Sequence, residues 1–198
     1  MQALDFPLDF QFKVTTLAND FTVKDANGFT VCYVRQKLFK FVEEVDVYSS
    51  ESQSELLYTI KANQWIDFSA AYIFRDNTGL EIGRVARKGW ASLWKAHYEV
   101  YDQNQQQDFT IREGNAWVKV ADALLGEIPL IGILTGYFFN PSYHVTRPDG
   151  THIATLQKQK SFFGRKFTVT QESDFEAGEQ ERIVLSLMMM ILLERRRG

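Results

Sequence analysis

Ile183 to Leu193, IVLSLMMMILL, is an unbroken apolar run in which Ser186 is the one polar residue. Glu179, Glu181 and Arg182 precede it, and Glu194 with Arg195, Arg196 and Arg197 follow it. Leu and Met favour helix, so the run is predicted to be helical over 183–193. A helix that is apolar on every side has no solvated face and has to be enclosed all round. At 1.5 Å per residue it is roughly 17 Å long, well short of the roughly 30 Å core of a bilayer. The rest of the chain must therefore wrap it, and the rest reads as strands.

Near the start, Leu8, Phe10, Phe12 and Val14 alternate with Asp9, Gln11 and Lys13, the period of a half-buried strand. The stretch that follows recurs 51 residues later: FTVKDANGFTV (Phe21–Val31) aligns with YIFRDNTGLEI (Tyr72–Ile82), and YTIK (Tyr58–Lys61) with FTIR (Phe109–Arg112). A shared offset over so many positions marks a duplicated supersecondary unit. A third, partial copy, YHVTRPDGTHI (Tyr143–Ile153), lies 71 residues beyond the second. DANG, DNTG and RPDG are turn sequences, because Asn, Asp and Gly tolerate positive φ and Pro presets its own. Each copy is therefore a hairpin. In the first two a second hairpin follows through the polar tips SSESQSE and DQNQQQ; in the third, FTVTQ (Phe167–Gln171) leads through Asp174 and Gly178 into the apolar run. Between copies two and three, Ala116–Leu125 reads as a short helix ended by Gly126, and the uncharged Ile128–Phe139 as a core strand. The fold expected is mainly β: a closed antiparallel barrel of about twelve strands wound on a buried C-terminal helix, which leaves no exposed sheet edge.

The bulk numbers agree with one domain spanning 1–198: this length buries a single sizeable core. Aromatics are high at 14%, which suits strands and a large interior. A net charge of -3 gives no global attraction to nucleic acid. The single Cys32, in FTVCYV, excludes an intramolecular disulfide and a multi-cysteine metal site, and reads as a buried strand thiol. Asp5, Asp9 and Lys13 interrupt any signal-peptide core, so a cytoplasmic protein is expected, with contact to a membrane only at its surface and no transmembrane segment.

Duplicated hairpins with a D-x-x-G turn, a basic and aromatic strand after them, and a wholly apolar C-terminal helix resemble the tubby C-terminal-like superfamily. Within it the chain is most similar to the LURP-one-related and phospholipid-scramblase-like branch. The resemblance runs from about Phe21 to Arg197 and rests on DNTGLEIGRVARK (Asp76–Lys88), PSYHVTRPDGTHIATLQKQ (Pro141–Gln159) and the apolar run. It implies a twelve-stranded barrel around a central helix, and a relation to phosphoinositides or membrane lipids. The Cys-rich and calcium-linked segments of scramblase-like members have no counterpart here, so calcium-dependent lipid movement is not implied.

No nucleotide-binding glycine loop, zinc-protease motif, nucleophile elbow or C-x-x-C occurs, so no catalytic residue, metal site or cofactor is assigned. His144 and His152 flank the RPDG turn and read as polar strand residues, as do His97 and Glu99. The basic residues that follow each hairpin are the more informative signal. Arg84, Arg87, Lys88 and Lys95 after the second, and Lys158, Lys160, Arg165 and Lys166 after the third, form the candidate anion-binding set. The function expected is a non-enzymatic binding module for anionic lipid headgroups or phosphorylated ligands. A protein-interaction scaffold presenting Ser49–Glu55 and Gln103–Gln107 is the alternative, and an enzyme with a dispersed site the third.

Overall fold

A computed structural model describes residues 4–13, 19–37, 43–63, 71–87, 97–114, 141–159 and 166–195. Twelve strands run in chain order: β1 (Leu8–Phe12), β2 (Phe21–Lys24), β3 (Thr30–Gln36), β4 (Glu44–Tyr48), β5 (Leu56–Asn63), β6 (Ala71–Asp76), β7 (Glu81–Arg87), β8 (His97–Asp102), β9 (Gln107–Glu113), β10 (Ser142–Thr146), β11 (His152–Gln159) and β12 (Lys166–Gln171). Each pairs with its chain neighbour, and β1 pairs with β12 (Leu8 opposite Val169, Phe10 opposite Phe167), so the sheet closes into a barrel. Every pairing is antiparallel. The expected helix over Ala116–Leu125 and strand over Ile128–Phe139 lie outside the described residues.

The repeat in the sequence becomes threefold pseudosymmetry. The units are β2–β5, β6–β9 and β10–β12, and the fourth strand of the third unit is β1, from the other end of the chain. Its sequence agrees: LDFQFK (Leu8–Lys13) parallels LLYTIK (Leu56–Lys61) and QDFTIR (Gln107–Arg112). The leading hairpin of every unit has a register shift at the same place, after Val23, Phe74 and Val145. The two D-x-x-G turns are built identically. Asp25 Oδ1 accepts the amides of Asn27 (3.0 Å) and Phe29 (2.8 Å), and Asp76 Oδ1 accepts those of Thr78 (2.9 Å) and Leu80 (3.0 Å). Gly28 and Gly79 take φ of +82° and +89°, a conformation strained for any side chain with a Cβ.

Alternate residues of each strand face the axis, and there they meet the helix α1 (Glu179–Arg195). Its residues from Ile183 to Leu192 are at most 1% exposed, so the barrel does enclose the apolar run. The helix starts four residues earlier than the apolar pattern predicts. Glu179 and Glu181 occupy its first turn, where the helix dipole favours negative charge, so the acidic residues that end the apolar run still continue the helix. Seventeen residues make it roughly 25 Å long. Ser186 is fully buried and its hydroxyl has no hydrogen-bond partner among the described residues.

The helix enters where the third unit would have its fourth-strand hairpin. Two arginines fix it there. Arg147 grips Glu179 with both ends of its guanidinium (2.9 and 2.7 Å) and also donates to the Asp174 carbonyl at 2.9 Å. Arg182 donates to Asp108 at 2.5 Å after crossing Gly83, where a Cβ would lie 2.7 Å from Arg182 Cδ and 2.6 Å from the Tyr101 carbonyl oxygen. Burial pushes the Glu179 carboxyl up, but the Arg147 bonds, the Glu176 amide and the Arg147 charge overcome it, so it titrates below its usual range. At Asp108 the balance is reversed: burial outweighs Arg182, and the carboxyl is raised. Leu4 N donates to Gln180 Oε1 (3.1 Å) and Phe6 meets Phe175 edge to face at 5.3 Å, tying the first residues over the same end.

Candidate functional site

The barrel has two unlike ends. At the turn end lie the turns at 25–29, 76–80 and 147–151, the tip at 102–106 and the start of α1. At the connector end β1 passes to β2, β3 to β4, β5 to β6, β7 to β8, β9 to β10 and β11 to β12. Because the units are related by a threefold rotation, the basic stretch after each leading hairpin points a different way. The described members of the candidate set show this. Arg84, on the outer face of β7, is held by Glu81 at 2.7 Å. Arg87 has the register of buried Val85 and faces the axis, with its guanidinium 5.9 Å from the Tyr98 ring centroid. Lys158 is its counterpart on β11, in the inward register of Leu156 and opposite Phe167. Lys166 is exposed on the outer face of β12. Five strand positions separate Arg84 on β7 from Lys166 on β12, so the described outer cations are not one patch. Lys88, Lys95, Lys160 and Arg165 lie outside the described residues.

A polar belt lines the inner wall at the connector end. Gln36 occupies the first-unit position of Arg87 and Lys158, and donates to Glu43 Oε1 at 2.7 Å; the Tyr72 hydroxyl donates to Glu43 Oε2 at 2.8 Å. Glu113 stands opposite Tyr143 in the same layer, and both are at least nine-tenths buried. Two carboxylates therefore share the belt with Arg87 and Lys158, which makes it a compensated layer around the axis and not a purely cationic pocket.

Outside, at the same end, the three matching strands β1, β5 and β9 are each followed or closed by a cation: Lys13, Lys61 and Arg112 sit at equivalent positions, one third of a turn apart. Lys61 is about half exposed and 4.0 Å from Glu44. Arg112 is exposed. Lys13 pairs with Glu51 and lies 5.2 Å above the Tyr33 ring. The opposite end carries a set of acidic residues. Asp25, Asp76, Asp102 and Asp149 cap its turns, and Asp5, Glu172 and Asp174 line an open cleft of about 480 Å³ beside the start of α1. Asp76 is held below the usual carboxylate range by the Thr78 hydroxyl and then by backbone amides, and Asp149 likewise by the Thr151 amide.

The LURP-one-related family model matches residues 10–128. The chain belongs to the LURP-one-related family. No curated protein and no solved structure gave a significant match. The matched stretch of this LURP-one-related chain covers the first two units whole, and β10–β12 with α1 complete the barrel beyond it.

Three further groups of the LURP-one-related barrel bear on chemistry. His144 and His152 do share the outer face: His144 Nδ1 is 3.2 Å from His152 Nε2, which also lies 3.0 Å from Thr155 Oγ1 and 3.1 Å from the Ala154 carbonyl oxygen. Burial and then the neighbouring His152 lower the His144 pKa. Among the described residues no group of three His, Cys, Asp or Glu is placed to hold a metal ion. Glu99 accepts the Tyr101 hydroxyl at 2.7 Å, a bond that with burial pushes Tyr101 up to about 12. Cys32 is a buried thiol, raised to about 12 by that burial. Of the two polar tips, Ser49–Glu55 is engaged by its own barrel, through Lys13–Glu51 and Arg35 to Gln53 at 2.9 Å. The belt residues Gln36, Glu43 and Glu113 escape a search for basic clusters, though alternation alone puts Gln36 and Glu113 on the inner wall.

Proposed function

We propose that this LURP-one-related chain is a non-enzymatic binding module that meets an anionic surface end-on, with the connector end towards lipid headgroups. The observation that carries this reading is the separation of charge along the barrel axis. Lys61 and Arg112 are exposed on one rim, with Lys13 at the equivalent place but held by Glu51, while the turn aspartates stand at the other. A ring of cations suits a plane of negative charge better than a single small ligand, since its members are a third of a turn apart. Attraction to an anionic leaflet contributes about 1 kcal/mol per cation near the surface, so the exposed Lys61 and Arg112 together give roughly 30-fold preference over neutral lipid. The acidic end, repelled by the same field, fixes the orientation.

Sedimentation with phosphatidylcholine vesicles, with and without phosphatidylserine or phosphoinositide, across a salt series tests the reading. Binding should require the anionic lipid, weaken with salt as the ring is screened, and fall at least tenfold in Lys61→Glu/Arg112→Glu. Competition by soluble inositol phosphate separates capture of one headgroup from attraction to the surface. Equal, salt-insensitive binding to neutral and anionic vesicles would refute it.

A further inference from the structure

All three histidines of the chain gather on one stretch of the outer wall, around the exposed Arg112. On β9, Arg112 is directly opposite His97 of β8 and directly opposite His144 of β10. Side chains at opposed positions of an antiparallel pair start about 5 Å apart, so the guanidinium has an imidazole on either side. The row continues through Thr155 of β11 to Thr170 of β12, and no carboxylate stands in it. The third histidine, His152, backs the second: its Nε2 lies 3.2 Å from His144 Nδ1. Gly114 clears the other side of that ring. A Cβ there would fall 2.1 Å from His144 Nε2, so the imidazole reaches over the end of β9, two residues past Arg112.

The partners fix where the protons sit. The Ala154 carbonyl, 3.1 Å from His152 Nε2, can only accept, so His152 carries its proton on Nε2. His144 Nδ1 is then an acceptor, and neutral His144 holds its own proton on Nε2, the atom over Gly114. One further proton fits the pair once His152 shifts its proton to Nδ1, because His144 Nδ1–H then donates to His152 Nε2. Two do not fit, since both rings would be cations with nitrogens 3.2 Å apart. Of the charged groups facing the pair, Arg112 on β9 opposes uptake. Glu172, bonded to the Thr170 hydroxyl at 3.0 Å, favours charge on both rings. Glu99, two residues from His97 on β8, is engaged by the Tyr101 hydroxyl at 2.7 Å. Burial and His152 hold the His144 pKa below its ordinary value, so the ring is neutral at pH 7 until an added negative charge offsets both. The single charge of a phosphodiester is matched by Arg112 alone. A phosphomonoester carries about −1.5 to −2 at pH 7, and the excess is matched by the proton that His144 can accept. We infer that Arg112 and His144, with His97 on the far side, form a site for a phosphomonoester group that takes up a proton as it binds. Such a site rests on the end-on reading to the extent that Arg112 is one of its rim cations.

Isothermal titration calorimetry with glycerol 3-phosphate, run in two buffers of different ionisation enthalpy, counts the protons exchanged on the wild-type protein. Uptake of up to about one proton is expected, with binding that tightens up to about tenfold per unit as the pH falls from 8 to 7. Arg112→Gln should weaken binding at least tenfold, and His144→Gln should remove the proton uptake and the pH slope. Both lie on the outer wall, so wild-type unfolding midpoints are expected, and the wild-type proton count decides the matter without either variant. Phosphatidylcholine vesicles carrying phosphatidic acid or, at equal surface charge, phosphatidylserine identify the source of the group. A preference for phosphatidic acid that grows as the pH falls places it on a lipid headgroup. Glycerol phosphate binding with proton uptake but no attraction to anionic vesicles would support a soluble ligand and overturn only the end-on reading. Salt-sensitive binding to both anionic vesicles alike, without proton uptake from glycerol phosphate, would overturn the histidine site and leave the end-on reading standing.

Discussion

Truncating the chain before Ile183 should abolish folding, and a graded series at Leu187 shows why. Leu187 is fully buried at the centre of α1, in a cluster with side chains from every strand. Leu187→Ala removes three methylene-sized groups from a site that a closed barrel cannot easily collapse around, so the loss should fall at about 2–5 kcal/mol. Leu187→Asp places a carboxylate with no partner in the same cavity, which costs more than a domain of this size can lose. Met189→Leu keeps the volume and should cost under about 1.5 kcal/mol. Truncation removes Leu187 together with eight other apolar side chains that are at most 1% exposed. At about 1.5–3 kcal/mol each they sum to roughly 14–27 kcal/mol, at or above the top of the roughly 5–15 kcal/mol net stability of a typical domain. Urea unfolding followed by far-ultraviolet circular dichroism, with gel filtration, should rank the series Met189→Leu, Leu187→Ala, Leu187→Asp, and show no cooperative transition for the last or for the truncation. A truncated chain that is monodisperse and unfolds cooperatively would refute the reasoning, since the helix would then be dispensable to the barrel.

Other outcomes follow from particular contacts. Ser186→Ala removes a buried hydroxyl that has no partner among the described residues and should raise stability by about 1 kcal/mol in the same urea assay; a destabilised variant would mean that the hydroxyl is satisfied. Gly83→Ala drives a Cβ against the Tyr101 carbonyl and Arg182, and should cost about 1–3 kcal/mol, with loosening of the α1 start visible as faster amide exchange. The folded-state pKa of Glu179 is depressed, so its contribution is full above the unfolded value of about 4.3 and is lost as pH falls through the folded pKa. Glu179→Gln should therefore flatten the acid limb of the stability profile below about pH 4.3, and an unchanged limb would remove the Arg147 pair from the account. Deleting residues 1–12 should open the seam between β12 and β2, and a synthetic peptide covering Leu4–Lys13 should restore cooperative unfolding when added in trans.

The barrel was legible where its chemistry is local. D-x-x-G turns, alternating strands and an apolar run with no polar face each depend on neighbours a few residues away, and together they called for enclosure of the helix. The closing pair was less legible, because β1 and β12 meet across most of the chain and no turn joins them. The signal existed nonetheless in LDFQFK, which matches QDFTIR and LLYTIK, and reading it would have identified β1 as the missing fourth strand. The start of α1 was placed late because Glu179–Arg182 end the apolar pattern without ending the helix. The candidate cations were visible as residue types, but which way they point depends on the rotation between units. That rotation turns a repeated sequence cluster into dispersed surface positions, and register sends Arg87 and Lys158 inward.

A barrel whose third unit is shared between the two ends of the chain has an order of assembly imposed by synthesis. β1 is made before the other strands of the barrel, yet its partner β12 and the helix that fills the interior come after all the rest. Until they emerge, β1 and β11 both present open strand edges, and the inner wall from Phe10 to Leu156 has nothing to pack against. Units one and two can pair their hairpins as they appear, but the native core becomes available only when α1 has emerged. Closure of so long a loop is slow, and open edges with bare apolar faces are the features that recruit chaperones or lead to aggregation. Pulse-labelled nascent chains should accordingly remain protease-sensitive until residues beyond Leu192 have cleared the exit tunnel.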